Sequence, residues 1–94
     1  MYAMSYRVVL HRAAVAEIRK LPSQVKNRVK SAIDGLADEP VPSGAIRLKG
    51  RPNAYRLRIG DHRILYEVHA TELVIYVVGV GHRREVYLRL LRRR

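Results

Sequence analysis

Hydrophobic and polar positions recur along this chain with two different periods, and each change of period marks an element. Tyr6-Arg7-Val8-Val9-Leu10 is a short β-branched run and reads as a strand. From Ala13 to Leu21 the spacing changes. Ala14, Ile18 and Leu21 fall at i, i+4 and i+7, which makes one apolar helical face. Pro22 interrupts that face. Proline fits a first helical turn, so it is expected to open a second helix rather than bend the first. Val25, Val29, Ile33 and Leu36 carry the second helix, with Lys26, Arg28 and Lys30 between them. Glu39 precedes Pro40 and is pushed out of the α region, so this helix should end near Asp38.

Pro40-Val41-Pro42-Ser43-Gly44 is a loop by composition, and Arg51-Pro52-Asn53 a second turn. Between them Ile46 and Leu48 alternate with Arg47 and Lys49. The pattern then becomes clearly period two. Tyr55, Leu57 and Ile59 point one way, Arg56 and Arg58 the other. Gly60-Asp61 is a tight hairpin turn. Ile64, Tyr66 and Val68 share a face, and Arg63, Leu65 and Glu67 share the opposite one. His69-Ala70-Thr71-Glu72 turns the chain again. Leu73 to Val80 is apolar on both faces, as in a central strand covered on each side. Gly81-His82-Arg83-Arg84 leaves that strand, and Glu85–Arg92 reads as a short terminal helix or tail. The order is β-α-α-β-β-β plus a C-terminal segment. It predicts an α+β fold, two N-terminal helices on one face of a mainly antiparallel four-stranded sheet. At 94 residues, one domain spanning 1–94 is expected.

Charge changes the picture. Nineteen Lys+Arg stand against eight Asp+Glu, a formal net charge of +11. The excess is uneven: net +3 over residues 1–45 and net +8 over 46–94. Fifteen of the nineteen are arginine, the better residue for bidentate phosphate contacts. Such a domain attracts polyanions, with nucleic acid the first partner class and an acidic protein the second. Cysteine is absent, which excludes disulfides, Cys-ligated zinc, iron–sulfur clusters and a thiol nucleophile. The apolar run at Leu73–Val80 is under half the length of a membrane span, and Arg7 interrupts the early apolar stretch. A soluble, cytoplasmic protein is expected.

The candidate chemistry lies in one constellation. Arg56 and Arg58 share a strand face, and Arg63 begins the partner strand within side-chain reach of Arg58. Three guanidinium groups so placed repel one another unless an anion fills the space between them. His82-Arg83-Arg84 follows the central strand, and Tyr87 adds an aromatic ring beside the cations, as in stacking on single-stranded RNA. Taken singly, the arginines could be a solvated sheet face, His82 a structural histidine and Tyr87 a docked helix residue. Their joint occurrence favours an RNA site. His11, His62, His69 and His82 lack the spacing of a metal centre, so neither metal nor cofactor is expected.

Several stretches, taken in order, resemble the RelE/ParE superfamily of bacterial and archaeal toxins. They are Lys20-Leu21-Pro22 between the helices, Arg47-Leu48-Lys49-Gly50, Tyr55-Arg56-Leu57-Arg58, Arg63-Ile64-Leu65-Tyr66 and Val80-Gly81-His82-Arg83-Arg84-Glu85-Val86-Tyr87. The closing stretch is similar to the RelE branch. That resemblance implies a RelE-like microbial ribonuclease-type fold and the toxin of a type II toxin–antitoxin pair. It implies a metal-independent endoribonuclease that enters the ribosomal A site, cuts mRNA by 2′-hydroxyl attack and so inhibits translation. It also implies as partners an antitoxin with an acidic toxin-binding segment, the ribosome and mRNA, and operator DNA only through the antitoxin. Carried over, Arg56, Arg58 and Arg63 would hold the scissile phosphate, Arg83 would neutralise the leaving side or the phosphate, and Tyr87 would stack on or orient the base. Lys49 and Arg84 would contact RNA. Well-known relatives have lysines where this chain has Arg56 and Arg58. Arginine does not give up its proton, so a base role does not transfer to Arg58. His82 is the expected base, with His62 and Glu67 as weaker candidates. The alternatives are a ParE-like inhibitor of DNA gyrase, or a catalytically weak toxin acting mainly in a repressor complex with its antitoxin.

Overall fold

The structure, a computed structural model, describes residues 5–82. The elements run β1 (Arg7–Leu10), α1 (Arg12–Arg19), α2 (Ser23–Leu36), β2 (Ile46–Arg47), β3 (Ala54–Ile59), β4 (His62–His69) and β5 (Val74–His82). The five strands form one sheet in the order β1-β5-β4-β3-β2. β1 runs parallel to β5, and every other neighbouring pair is antiparallel. The four-stranded expectation is therefore one strand short. The addition is β2, whose two residues pair as Ile46 with Arg56 and Arg47 with Tyr55 within the short alternating stretch before the Lys49-Gly50 turn. The C-terminal segment expected at Glu85–Arg92 lies outside the described residues.

Local chemistry explains the helix ends. α1 starts one residue before the apolar pattern does because His11 caps it. The imidazole Nδ1 accepts a hydrogen bond from the Ala13 N–H at 3.0 Å, satisfying a donor that has no helical partner. Pro22 is the N-cap of α2, as its position after a break predicts. At the other end of α2 the Tyr6 N–H donates to the Ala37 carbonyl at 2.8 Å, and Ser5 Oγ donates to the Asp38 carboxylate at 2.9 Å. The second contact gives that carboxylate a donor at the negative end of the helix dipole. Among the described residues no helix is long and apolar enough to cross a membrane.

The core lies between the helices and one sheet face. Ala14, Ile18, Val29, Ile33 and Leu36 pack on Leu57, Ile64, Tyr66, Ile75, Val77 and Val80. The opposite face has a smaller apolar floor, with Leu65 and Val78 buried and Leu48 and Tyr76 packed against them. Val78 reaches that floor through an irregularity. Tyr66 pairs with Val77 and Leu65 with Gly79, so Val78 is an extra residue in β5, a β-bulge.

Tyr66 ties the loop after α2 to this core. Its ring is fully buried and stacks on Tyr55 at 5.8 Å, and its hydroxyl donates to the Pro40 carbonyl at 2.7 Å. Burial, and then the neighbouring Tyr55, push the phenol well above its ordinary value. A folded-state pKa above the unfolded one makes the protonated phenol part of the fold. Its contribution is complete below the unfolded value, near 10, and is lost as pH climbs through the folded value. Urea denaturation across the alkaline range should thus show stability falling faster in the native protein than in Tyr66→Phe. At neutral pH the same substitution should cost about 1 kcal/mol for the lost hydrogen bond.

Candidate active site

The hairpin of β3 and β4 builds the site. Its turn is two residues long, Gly60-Asp61, with Ile59 paired to His62 across it. Gly60 has φ +61°, the first central position of a type II′ turn, where a side chain would be strained. This turn fixes the register, and the register fixes the chemistry. Arg58 lies directly opposite Arg63, and Gly81 of β5 completes the row. Arg56, Leu65 and Gly79 form the next row, and Ala54, Glu67 and Tyr76 the third. Directly paired residues share a face. All three rows therefore stand on the face away from the helices, and Arg56 is diagonal to Arg63.

Two guanidinium groups directly opposite each other destabilise a strand pair. Arg58 Nε is held back by the Gly60 carbonyl at 3.0 Å. Arg63 is half-buried, with its Nε shielded from solvent. Gly79 and Gly81 bring no side chains to their rows. The described residues contain one ion pair, His69 Nε2 with Glu67 Oε1 at 2.9 Å, and it involves neither Arg56 nor Arg58. Arginines gathered at one end of a sheet face are suited to a bound anion such as a phosphodiester.

His82 falls elsewhere. It pairs with His62, one residue out of step with Arg63 and Gly81, so the two imidazoles share the helix side of the sheet. Their ring centroids are 5.1 Å apart, edge to face. His82 is exposed at the end of β5. Of the weaker candidates, Glu67 stands on the arginine face, where it engages His69, and His62 does not. Among the described residues no three His, Cys, Asp or Glu side chains are grouped to hold a metal ion. Arg83, Arg84 and Tyr87 lie outside the described residues.

Lys49 occupies a separate place at the far sheet edge. Leu48-Lys49-Gly50-Arg51 is a turn closed by the Arg51 N–H to the Leu48 carbonyl at 3.2 Å, and Gly50 has φ +79°, as the third position of a type II turn requires. A second turn follows at once, closed by the Ala54 N–H to the Arg51 carbonyl at 3.2 Å. The double turn lines an open hollow of about 580 Å³ with Arg47, Lys49 and Arg51. Arg47 and Arg51 escaped the sequence reading as companions of Lys49, because the two successive turns that gather them are set by backbone hydrogen bonds. Glu17 of α1 escaped too. Its Oε1 accepts from the Val80 N–H at 2.9 Å, sixty-three residues away, and no local pattern signals such a contact.

Residues 8–87 match the family described as the ParE toxin of type II toxin–antitoxin systems. This chain belongs to the RelE/ParE toxin superfamily. Its relatives place it on the RelE branch. It is 32% identical over 94 residues to the mRNA interferase toxin RelE of Escherichia coli, covering 96% of this chain and 98% of that one. A solved structure of an E. coli RelE toxin mutant in the free state superposes with a TM-score of 0.81 at 28% identity, covering 96% and 98% of the two chains. The archaeal RelE of Pyrococcus horikoshii, solved in complex with RelB, gives a TM-score of 0.77 at 33% identity over 88% of this chain and 100% of that one. Every proposed site residue from Lys49 to Tyr87 falls inside the span matched to the superfamily.

Proposed function

We propose that this RelE-branch toxin is a ribosome-dependent endoribonuclease that cuts mRNA in the A site. The observation that carries the reading is the row of Arg58, Arg63 and Gly81, with Arg56 diagonal to it, on the sheet face away from the two helices. In the reaction the ribose 2′-oxygen bonds to the adjacent phosphorus and the 5′-oxygen leaves. The products are a 2′,3′-cyclic phosphate and a free 5′-hydroxyl. Negative charge builds on the non-bridging oxygens as the phosphorus becomes five-coordinate. Arg56, Arg58 and Arg63 supply fixed positive charge at that point, which is the task a metal ion would otherwise perform. Arg83 acts on the leaving oxygen, Tyr87 orients the base, and Lys49 and Arg84 hold the RNA backbone.

His82 is proposed as the base that takes the 2′-hydroxyl proton by reaching around the exposed end of β5, because its imidazole stands on the helix side of the sheet beside His62 and not among the arginines. His82→Gln should then slow single-turnover cleavage by about 100-fold, the lower end of what a lost general base costs. A rate for His82→Gln within about three-fold of native removes His82 from the chemistry.

The toxin works in the cytoplasm. Its inhibitor is an antitoxin with an acidic toxin-binding segment, matched to a +11 surface, and operator DNA is reached only through that antitoxin. RelE relatives solved with RelB support such a partner. The deciding experiment mixes purified toxin with programmed ribosomes and EDTA, then maps the mRNA ends. Cyclic phosphate and 5′-hydroxyl ends at A-site codons are expected with ribosomes and not with bare mRNA. Because the matched family is that of ParE, gyrase-dependent DNA breakage is the counter-assay, and a positive result there with intact mRNA overturns the proposal.

A further inference from the structure

We infer that Glu17 is a positioning residue for the active site, holding the end of β5 in the bulged register that turns Gly81 rather than His82 toward Arg63. The inference rests on the proposed function for its meaning in catalysis, but its geometry stands apart. β1 pairs with β5 from Val74 to Val77, and the His11 N–H extends the contact to the Val77 carbonyl at 2.9 Å. Beyond Val77, α1 leads the chain away and β5 continues without β1 as a neighbour. The Val80 N–H points to that vacated side. Glu17, projecting from α1, meets it there with a carboxylate oxygen at 2.9 Å. A side chain thus takes the place of a strand partner at the point where the sheet narrows.

The contact follows the bulge by two residues, and the bulge decides which way the end of the strand faces. Val77 lies on the helix side. Strict alternation from Val77 would send Val78 to the arginine face, Gly79 to the core, Val80 to the arginine face, Gly81 to the core and His82 to the arginine face. The extra residue at Val78 reverses that parity. Val80 enters the core, Gly81 joins Arg58 and Arg63, and His82 turns to His62. A register slip would bury glycine where Val80 now packs and set an imidazole beside Arg63 in the space a phosphate would need. Burial of Val80 opposes the slip from inside the core, and the Glu17 hydrogen bond opposes it at the backbone.

Three variants test this. Glu17→Gln keeps an acceptor of the same reach. Glu17→Asp keeps the charge but falls one methylene short. Glu17→Ala removes both. Amide hydrogen exchange by NMR reads the contact without reference to activity. The Val80 amide should be protected in the native protein and in Gln, and should exchange about ten-fold faster or more in Asp and Ala. In single-turnover cleavage at saturating ribosomes, Gln should run at the native rate. Asp and Ala should lose about ten-fold or more in rate with ribosome affinity unchanged. Native exchange at Val80 in the Ala and Asp variants overturns the inference, as does a Gln variant as impaired as Ala. Loss of affinity rather than rate also overturns it. If the native protein does not cleave at all, the functional reading fails while the exchange result still judges the register.

Discussion

Alanine in place of Arg63 should slow single-turnover mRNA cleavage on ribosomes by about 100-fold, the scale on which loss of one charge-stabilising donor acts elsewhere. Arg63 stands at the junction of the site, opposite Arg58, diagonal to Arg56 and in line with the bare backbone of Gly81. Its removal leaves the developing charge to groups that reach it from one side only. The variant should still fold, because a guanidinium directly across from another is unfavourable to the strand pair. Arg63→Lys separates charge from shape. It keeps the positive charge and loses the planar fork, and it should fall between the native protein and alanine. Rapid-quench cleavage with circular dichroism melts measures both quantities. A rate for Arg63→Ala within about three-fold of native removes the residue from the mechanism.

Binding to a single-stranded RNA oligonucleotide should weaken about fifty-fold between 50 and 200 mM salt. Four phosphate contacts, from Lys49, Arg56, Arg58 and Arg63, give a logarithmic slope of about −3. Lys49→Ala should reduce that slope by about 0.7 and leave the chemical step untouched, since the double turn lies at the far edge of the sheet, away from the hairpin end. Fluorescence anisotropy over a salt series reads the slope directly. A slope near zero would mean that the arginine face does not meet phosphate.

Much of this site was legible because alternation is unambiguous where charged and apolar residues interleave. Arg56 and Arg58 between Tyr55, Leu57 and Ile59 can occupy only one face, and a two-residue turn at Gly60-Asp61 then dictates that Arg63 meets Arg58. The helix face was legible for the same reason, and Ala14, Ile18, Val29 and Ile33 all lie in the core. His82 was not legible. Leu73 to Val80 is apolar at every position but Gly79, so the sequence carries no parity signal through it, and a one-residue bulge inside such a run leaves no trace. β2 was not counted because the alternation of Ile46 and Leu48 with Arg47 and Lys49 is only four residues long and runs straight into a turn, leaving two paired residues. Glu17 was missed because its partner is a backbone amide on the far side of the chain, which any residue type could have supplied.

The strand order has a consequence for how the protein comes into being. β5 lies between β1 and β4, so among the described residues the last strand to be synthesised is an interior one that joins β1 to the rest of the sheet. β1 is made first and waits more than sixty residues for β5, with Arg7 finally meeting Val74. A nascent chain that stops before Val74 has two sheet fragments with nothing to join them and helices with half a surface to cover. Long-range closure of this kind is slow and all-or-none. A messenger severed partway through this coding sequence therefore yields no partial toxin: only a chain read past β5 can assemble the arginine face.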